Sequence, residues 1–423
     1  METLLIISMR FIFWLLRKLF LSCRAGALLH NFIVYFVDRH FSPVRFGRSV
    51  PDMPEARKIA HNGRWKSATT TEFVRKNFAL DPRVRKRMID NLMVWRSFVG
   101  YFRRRKWTKK GFLVPSNIYF SPTYKCNLRC HGCYAACHKH QEELSLDEIR
   151  KIADEQEQLG IFHMVMLGGE PFMREDLWQI YAEYPTTIFE IFTNGTLVGR
   201  REIERIAELG NIRLFISLEG FQETTDSRRG QGVYDKVIRA LALCQQAKIY
   251  YCVSVTIGRE NFDEVTSDVF LKMLNGFGIF AINFVPYMSC GENNEPFSEL
   301  MDDQVASLEL LGEHIQDLYP IFPIIGRNGS SFVTSCPAAD GKIHITAKGD
   351  VEPCAFCHFA ADNIRRKTIL EVMDSPFFRG IRLFNNAGIS RFNPCKINKS
   401  VFLQNEYRRT GAYPTTIPTA KGE

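Results

Sequence analysis

Ser121-Pro-Thr-Tyr-Lys-Cys126-Asn-Leu-Arg-Cys130-His-Gly-Cys133-Tyr134 is the stretch on which the reading of this chain turns. Its three cysteines stand three and two residues apart on one short loop. Thiolates so placed can reach three irons of a [4Fe–4S] cube, whereas full ligation takes four cysteines. The fourth iron is then open to a ligand, and an open position is what separates a reactive metal site from a closed structural one. A structural zinc is the rival reading, with Cys137 or His138 completing the set, and spacing alone leaves that open.

Downstream, strand and helix alternate. His163 to Leu167 reads as a buried strand ending in Gly168-Gly169, where missing side chains let backbone come close to a ligand, and Glu170-Pro171 follows. Next come a strand from Thr187 to Phe192 ending in Thr193-Asn194-Gly195-Thr196, a helix from Arg200 to Leu209, and a strand from Ile212 to Ser217 leading to Glu219-Gly220. Two more strands, Tyr250 to Thr256 and Phe280 to Pro286, flank a crossover helix predicted over Phe262 to Leu274. Repeated crossovers make an α/β protein with a mostly parallel sheet and helices outside. Ligands gather where parallel strands end, so Ser217, Glu219, Ser254 and Asn283 are site candidates. For each of them a cap or a satisfied strand polar group is the alternative.

The Cys-x3-Cys-x2-Cys loop followed by the Gly-Gly-Glu-Pro turn resembles the radical S-adenosylmethionine (SAM) superfamily. That resemblance implies a partial (β/α)6 barrel over residues 116–325. It implies a [4Fe–4S] cluster on Cys126, Cys130 and Cys133, chelated at its unique iron by SAM, whose reductive cleavage gives a 5′-deoxyadenosyl radical. Gly168, Gly169 and Glu170 would bind the amino group of SAM. Ser217 and Glu219 would lie near its ribose or carboxylate, with Ser254 and Asn283 on the next strands. Many members place an aromatic residue just before the third cysteine, against adenine; here that position is Gly132, and Tyr134 is the candidate to compensate. The electron donor would be a reduced flavodoxin or a ferredoxin-type protein.

A second cysteine set comprises Cys336, Cys354, Cys357 and Cys395. The Cys-x12-Gly-x4-Cys opening resembles the auxiliary-cluster (twitch/SPASM-like) extensions of the superfamily. This implies a small α+β unit over 326–400 holding a second [4Fe–4S] cluster, in the shorter, single-cluster form. Ile343 to Val351 reads as its hairpin, with Lys348-Gly349-Asp350 at the turn. Zinc or a single iron satisfies four thiolates equally well. Cys290, just past the last barrel strand, is a candidate radical-relay thiol, and most remaining cysteines read as buried small hydrophobes.

With 423 residues, 45% of them hydrophobic, the chain can bury a large core. Its twelve cysteines suit metal better than disulfides, which points to a reducing, cytoplasmic compartment. Residues 1–45 are apolar but broken by arginines. Their longest uncharged run, Ala25 to Val37, is shorter than the ~20 residues a bilayer crossing takes. They read as helices lying in the membrane interface, with a signal peptide or a helical pair docked on the barrel as rivals. The basic region 46–115 and the formal charge of +9 then fit an anionic membrane surface, and no nucleic-acid module is apparent. Residues 401–423 read as a tail, loose and polar from Arg408 onward. The function expected on these grounds is a peripheral membrane radical SAM enzyme that activates an unreactive C–H bond of a lipid or other hydrophobic substrate. The alternative is a maturase of a ribosomally made peptide or protein, and a non-catalytic iron–sulfur electron carrier stands further off.

Overall fold

The computed structural model describes residues 67–138, 142–288, 297–325, 337–386 and 401–416. The interfacial helices expected over residues 1–45, together with Cys290, Cys336 and Cys395, lie outside these residues, as does the Cys137 side chain.

Seven strands run parallel in chain order: β1 (Asn117–Phe120), β2 (His163–Met166), β3 (Ile188–Thr193), β4 (Ile212–Ser217), β5 (Tyr251–Ile257), β6 (Ala281–Pro286) and β7 (Phe322–Ile325). On the other flank of β1 the sheet continues in parallel with β8 (Lys342–Ile345), then antiparallel with β9 (Asp350–Glu352) and the short strand Asp362–Asn363. The α/β parallel core is therefore wider than six strands, and the cysteine-rich extension grows out of its edge rather than standing apart. The hairpin expected over Ile343 to Val351 is formed by β8 and β9.

Local sequence accounts for the crossovers. The helix Leu146–Leu159 opens on a capping box between Ser145 and Glu148, ends at Gly160, and buries Ile149, Ile152, Ala153, Gln156 and Leu159. That three-to-four-residue spacing is one helix face turned to a sheet. The helix Arg200–Leu209 does the same with Ile203, Ile206 and Ala207. All four residues of β2 are buried, as a central parallel strand covered on both faces requires. The crossover predicted over Phe262 to Leu274 is two helices, Phe262–Thr266 and Asp268–Gly276, because Ser267 caps the second. β5 and β6 each begin one residue later than expected. Tyr250 and Phe280, just before them, stack on each other with ring centroids 4.3 Å apart.

Residues 67–108 of the basic region are packed on the barrel. They form the helices Ser67–Phe78 and Pro82–Ile89, a π-helical stretch Asp90–Val99, and the helix Gly100–Thr108, laid across the end where the strands begin. Lys76 donates to the carbonyls of Ile279 and Pro320, ahead of β6 and β7. Asn91 donates to Pro185 O, ahead of β3, at 2.9 Å. Arg103 donates to Glu157 O at 2.7 Å and Arg104 to Gly160 O, ahead of β2. Lys76 thus serves carbonyls just ahead of strands, and Arg103 and Arg104 serve carbonyls at the C-terminal end of the helix Leu146–Leu159, so these cations are turned inward to main chain. Among the described residues no helix is long and apolar enough to cross a membrane.

A second correction concerns the C-terminus. The helix Val401–Thr410 and the strand Tyr413–Pro414 are docked: Leu403 is buried, Tyr413 pairs with Ala360, and its hydroxyl donates to Asp350 at 2.6 Å. Residues 401–416 thus close over the extension, and Arg408 does not begin a loose tail.

Candidate functional site

The three cysteines of the first loop sit past the end of β1, where the loop is fastened by the turn after β2. Gly169 N donates to Thr123 O and Glu170 N to Lys125 O, both at 2.9 Å, and Gly168 N donates to the Tyr134 hydroxyl at 3.2 Å. A Cβ on Gly168 would stand 2.2 Å from Thr123 O, and one on Gly169 2.2 Å from Lys125 O. Gly168 also has φ +106°, which side-chain-bearing residues rarely adopt. The two glycines are therefore needed for the cysteine loop itself to approach this turn.

Glu170 is fully buried and its carboxylate is spent on the scaffold. It accepts from Phe172 N at 3.1 Å, Thr193 Oγ1 at 2.8 Å and Asn194 N at 2.8 Å. Burial pushes its carboxyl up to about 7, against the pull of these donors. The side chain is not offered to a ligand, so an amino group reaching this turn meets main chain. Asn194, held by Glu170, turns its amide onto Asn127 at 2.8 Å and to within 3.8 Å of Cys126 Sγ. The Thr193-Asn194-Gly195-Thr196 end of β3 is thus a second clamp on the loop.

Glu219 also departs from expectation. It is buried with no exposed surface, and Oε1 accepts from Arg228 at 2.6 Å and from Arg229 Nε at 2.7 Å, while Oε2 accepts from Thr256 N at 2.8 Å. No free carboxylate is left for a ribose. It holds Arg229 instead, whose Nη1 lies 3.9 Å from Cys130 Sγ. Arg228 and Arg229 escaped the sequence reading, although a basic pair nine and ten residues after a buried glutamate was a usable signal. Ser217, Ser254 and Asn283 are brought together: the first two are register partners, as are the last two, and Asn283 Nδ2 stands 3.4 Å from Ser254 Oγ.

The space beside the third cysteine is filled from elsewhere. Gly132 has φ +62°, and a Cβ there would be 2.6 Å from the Tyr287 ring, which comes from just past β6. Tyr287 is therefore the aromatic neighbour of Gly132. Tyr134 is tied to Gly168 and packs edge-on against Phe356 at 5.5 Å, between Cys354 and Cys357. Those two cysteines share one tight turn, in which Cys357 N donates to Cys354 O at 3.0 Å. His138 stacks flat on Tyr124 at 4.0 Å and meets His358 edge-on at 5.1 Å. At the same seam His344 bridges Ser121 Oγ at 2.8 Å and Glu352 Oε2 at 2.6 Å. The two cysteine regions are neighbours across β1 and β8.

These residues fit an iron–sulfur cube better than a single ion. Among the described residues no three His, Cys, Asp or Glu side chains converge as on one metal, whereas a cube spreads its ligating irons apart. The sulfurs are also furnished for negative charge. Leu128 N at 3.4 Å and the Asn194 amide address Cys126, and the Arg229 guanidinium addresses Cys130. Burial pushes both thiols up, and the Leu128 N–H and the Arg229 charge respectively oppose it. Cys244 and Cys252, fully buried in the apolar core, are held far above the ordinary thiol range by burial and read as inert.

Comparison with known proteins agrees. Residues 120–271 match the radical SAM superfamily and residues 336–397 an iron–sulfur cluster-binding domain, SPASM. The chain is 33% identical over 153 residues to Fe-coproporphyrin III synthase of Methanosarcina barkeri, a match covering 35% of this chain and 38% of that protein. It is 28% identical over 300 residues to the mycofactocin maturase MftC of Mycobacterium tuberculosis, covering 66% of this chain and 76% of the maturase. Its fold resembles Streptococcus suis SuiB bound to S-adenosylmethionine, with a TM-score of 0.57, 19% identity, and 66% and 71% of the two chains covered. SuiB has also been solved with its precursor peptide SuiA. The chain is a radical S-adenosylmethionine enzyme, a member of that superfamily carrying a C-terminal SPASM iron–sulfur domain.

Proposed function

We propose that this enzyme is a maturase acting on a ribosomally made peptide or protein. The observation that carries the reading is the 300-residue similarity to a mycofactocin maturase, which covers 66% of this chain and 76% of that protein. The basic region gives a lipid substrate less support than its composition suggested, because Lys76, Arg103 and Arg104 are bonded to main-chain carbonyls of the barrel. When bound, the first cluster and SAM supply a radical able to abstract hydrogen from an unreactive carbon. This chain's own residues do the positioning. The Gly168-Gly169 turn and Asn194 hold the cysteine loop, Glu219 aims Arg229 at the Cys130 sulfur, and Ser217, Ser254 and Asn283 offer a row of small polar groups along β4 to β6. We assign Cys336, Cys354, Cys357 and Cys395 to one auxiliary cluster; the packing of Phe356, between Cys354 and Cys357, on Tyr134 supports its lying near the first loop.

A second reading, in which the substrate is a heme precursor, is favoured by the 33% identity to Fe-coproporphyrin III synthase. The test is anaerobic turnover with SAM and reductant against three substrates in parallel: synthetic short peptides encoded beside this gene, a panel of iron-tetrapyrrole heme precursors, and total lipid extract. A mass change in a peptide is the expected result. A changed porphyrin with unchanged peptides would replace the first reading by the second.

A further inference from the structure

Two guanidiniums at the floor of the barrel are poorly matched by protein. Arg96, on the π-helical stretch, reaches Asn117 Oδ1 only at 3.5 Å. Arg213, on β4, has its Nε 3.3 Å from the Met88 sulfur and its guanidinium 4.8 Å over the Tyr250 ring. A guanidinium carries five N–H donors, and sulfur is a weak acceptor. Both residues are half-buried, and neither has a carboxylate within ion-pair distance among the described residues.

The charges around them do not balance. Among the described residues Glu190, the register partner of Arg213 across β3 and β4, is the carboxylate acting on the pair, and it lies 3.3 Å from His163 Nε2. His163 Nδ1 is in turn 3.0 Å from the same Asn117 oxygen that Arg96 approaches. The cations are Arg96, Arg213, Arg104, which is bound to Gly160 O, and Lys342, whose ammonium sits over the Tyr119 ring at 5.2 Å. Burial and the mutual repulsion of Arg213 and Arg96 both lower the pKa of Arg96. Half-buried like charges gathered in this way repel one another, and a counter-charge joining them is stabilising.

We propose that the barrel floor binds a small oxyanion, a carboxylate or a phosphate, shared by Arg96 and Arg213. The planar fork of arginine matches both anions with paired hydrogen bonds. Because Arg96 belongs to the helical cap and Arg213 to the sheet, the anion pins one to the other. The site lies at the opposite end of the barrel from the cysteine loop and stands independently of the peptide reading.

The experiment is equilibrium dialysis of the full-length, cluster-loaded protein against radiolabelled inorganic phosphate and, separately, acetate at fixed ionic strength. Saturable, one-to-one uptake of phosphate or acetate is expected. It should weaken at least tenfold in Arg96→Gln and Arg213→Gln, and a saturating anion should raise the melting temperature of the unsubstituted protein by about 2–4 °C. Arg213→Lys keeps the charge but not the fork and should bind with intermediate strength, so a folded variant is available if the neutral ones misfold. Absence of saturable uptake of both anions, or equal uptake by the original protein and folded variants, overturns the proposal.

Discussion

The mouth and the floor of this barrel are both rich in charge, and they use it oppositely. At the mouth, charged side chains are locked so that one of them addresses sulfur: Glu219 is buried with Arg228 and Arg229, and Arg229 stands beside Cys130. At the floor, Lys76, Arg103 and Arg104 address main-chain carbonyls ahead of strands and at a helix end. What a cation does follows from its partner, and composition reports only the cation. Some cations of a basic run serve the fold, while Arg105, Lys106, Lys109 and Lys110 of the same run stay exposed.

The largest effect should come from the mouth. Cys130→Ala is expected to reduce SAM cleavage below about one hundredth of the unsubstituted rate, since even residues supporting a metal ligand are worth 10- to 100-fold. Chromatographic detection of 5′-deoxyadenosine measures it. Lys76→Met at the floor should leave that rate within about twofold, and loss of cleavage in a folded, iron-loaded Lys76→Met protein would break the contrast.

Next is Gly169→Ala. With its Cβ 2.2 Å from Lys125 O, the backbone of the cysteine loop has to move. Overpacking of this kind costs about 1–3 kcal/mol. A urea midpoint lowered together with the iron-to-protein ratio is the expected outcome, and a normal ratio would show that the turn does not fasten the loop.

Arg229→Gln removes a positive charge from beside Cys130 while leaving Arg228 on Glu219. Reduction adds an electron there, so the cluster potential should fall by roughly 60 mV, the one-electron equivalent of a tenfold change. Potentiometric titration followed by electron paramagnetic resonance reads it, and an unchanged potential would reduce Arg229 to scaffolding.

The smallest effect concerns the floor. Burial lowers the pKa of Lys76 to about 8. Between pH 8 and about 10.4, the ordinary lysine value, the unfolded chain binds more protons at this position than the folded one. Stability relative to Lys76→Met should therefore rise with pH across that window and be flat below it. A difference that falls with pH in chemical denaturation would reverse the assignment.

Much of the mouth was legible because its signals are local. The cysteine spacing, the Gly168-Gly169 turn and the strand ends at Ser217 and Ser254 each lie within a few residues of sequence. Glu170 and Glu219 were found as positions, but what their carboxylates bond to was hidden, because the partners Asn194 and Thr256 come from other strands. Tyr287 beside Gly132 depends on tertiary packing between β6 and the loop. The floor was not legible at all. Lys76 and Ile279 are 203 residues apart, and no periodicity announces which carbonyls a sheet will leave unpaired.

Hydrogen transfer tests the central claim, that the mouth works on a peptide, most directly. Candidate precursor peptides deuterated at side-chain carbons would be incubated anaerobically with the reduced, reconstituted enzyme and SAM, and 5′-deoxyadenosine analysed by mass spectrometry. Deuterium in 5′-deoxyadenosine, with a matching mass loss in the peptide, is the predicted result. Undeuterated 5′-deoxyadenosine with every such peptide, alongside transfer from a deuterated heme precursor or lipid, would contradict it.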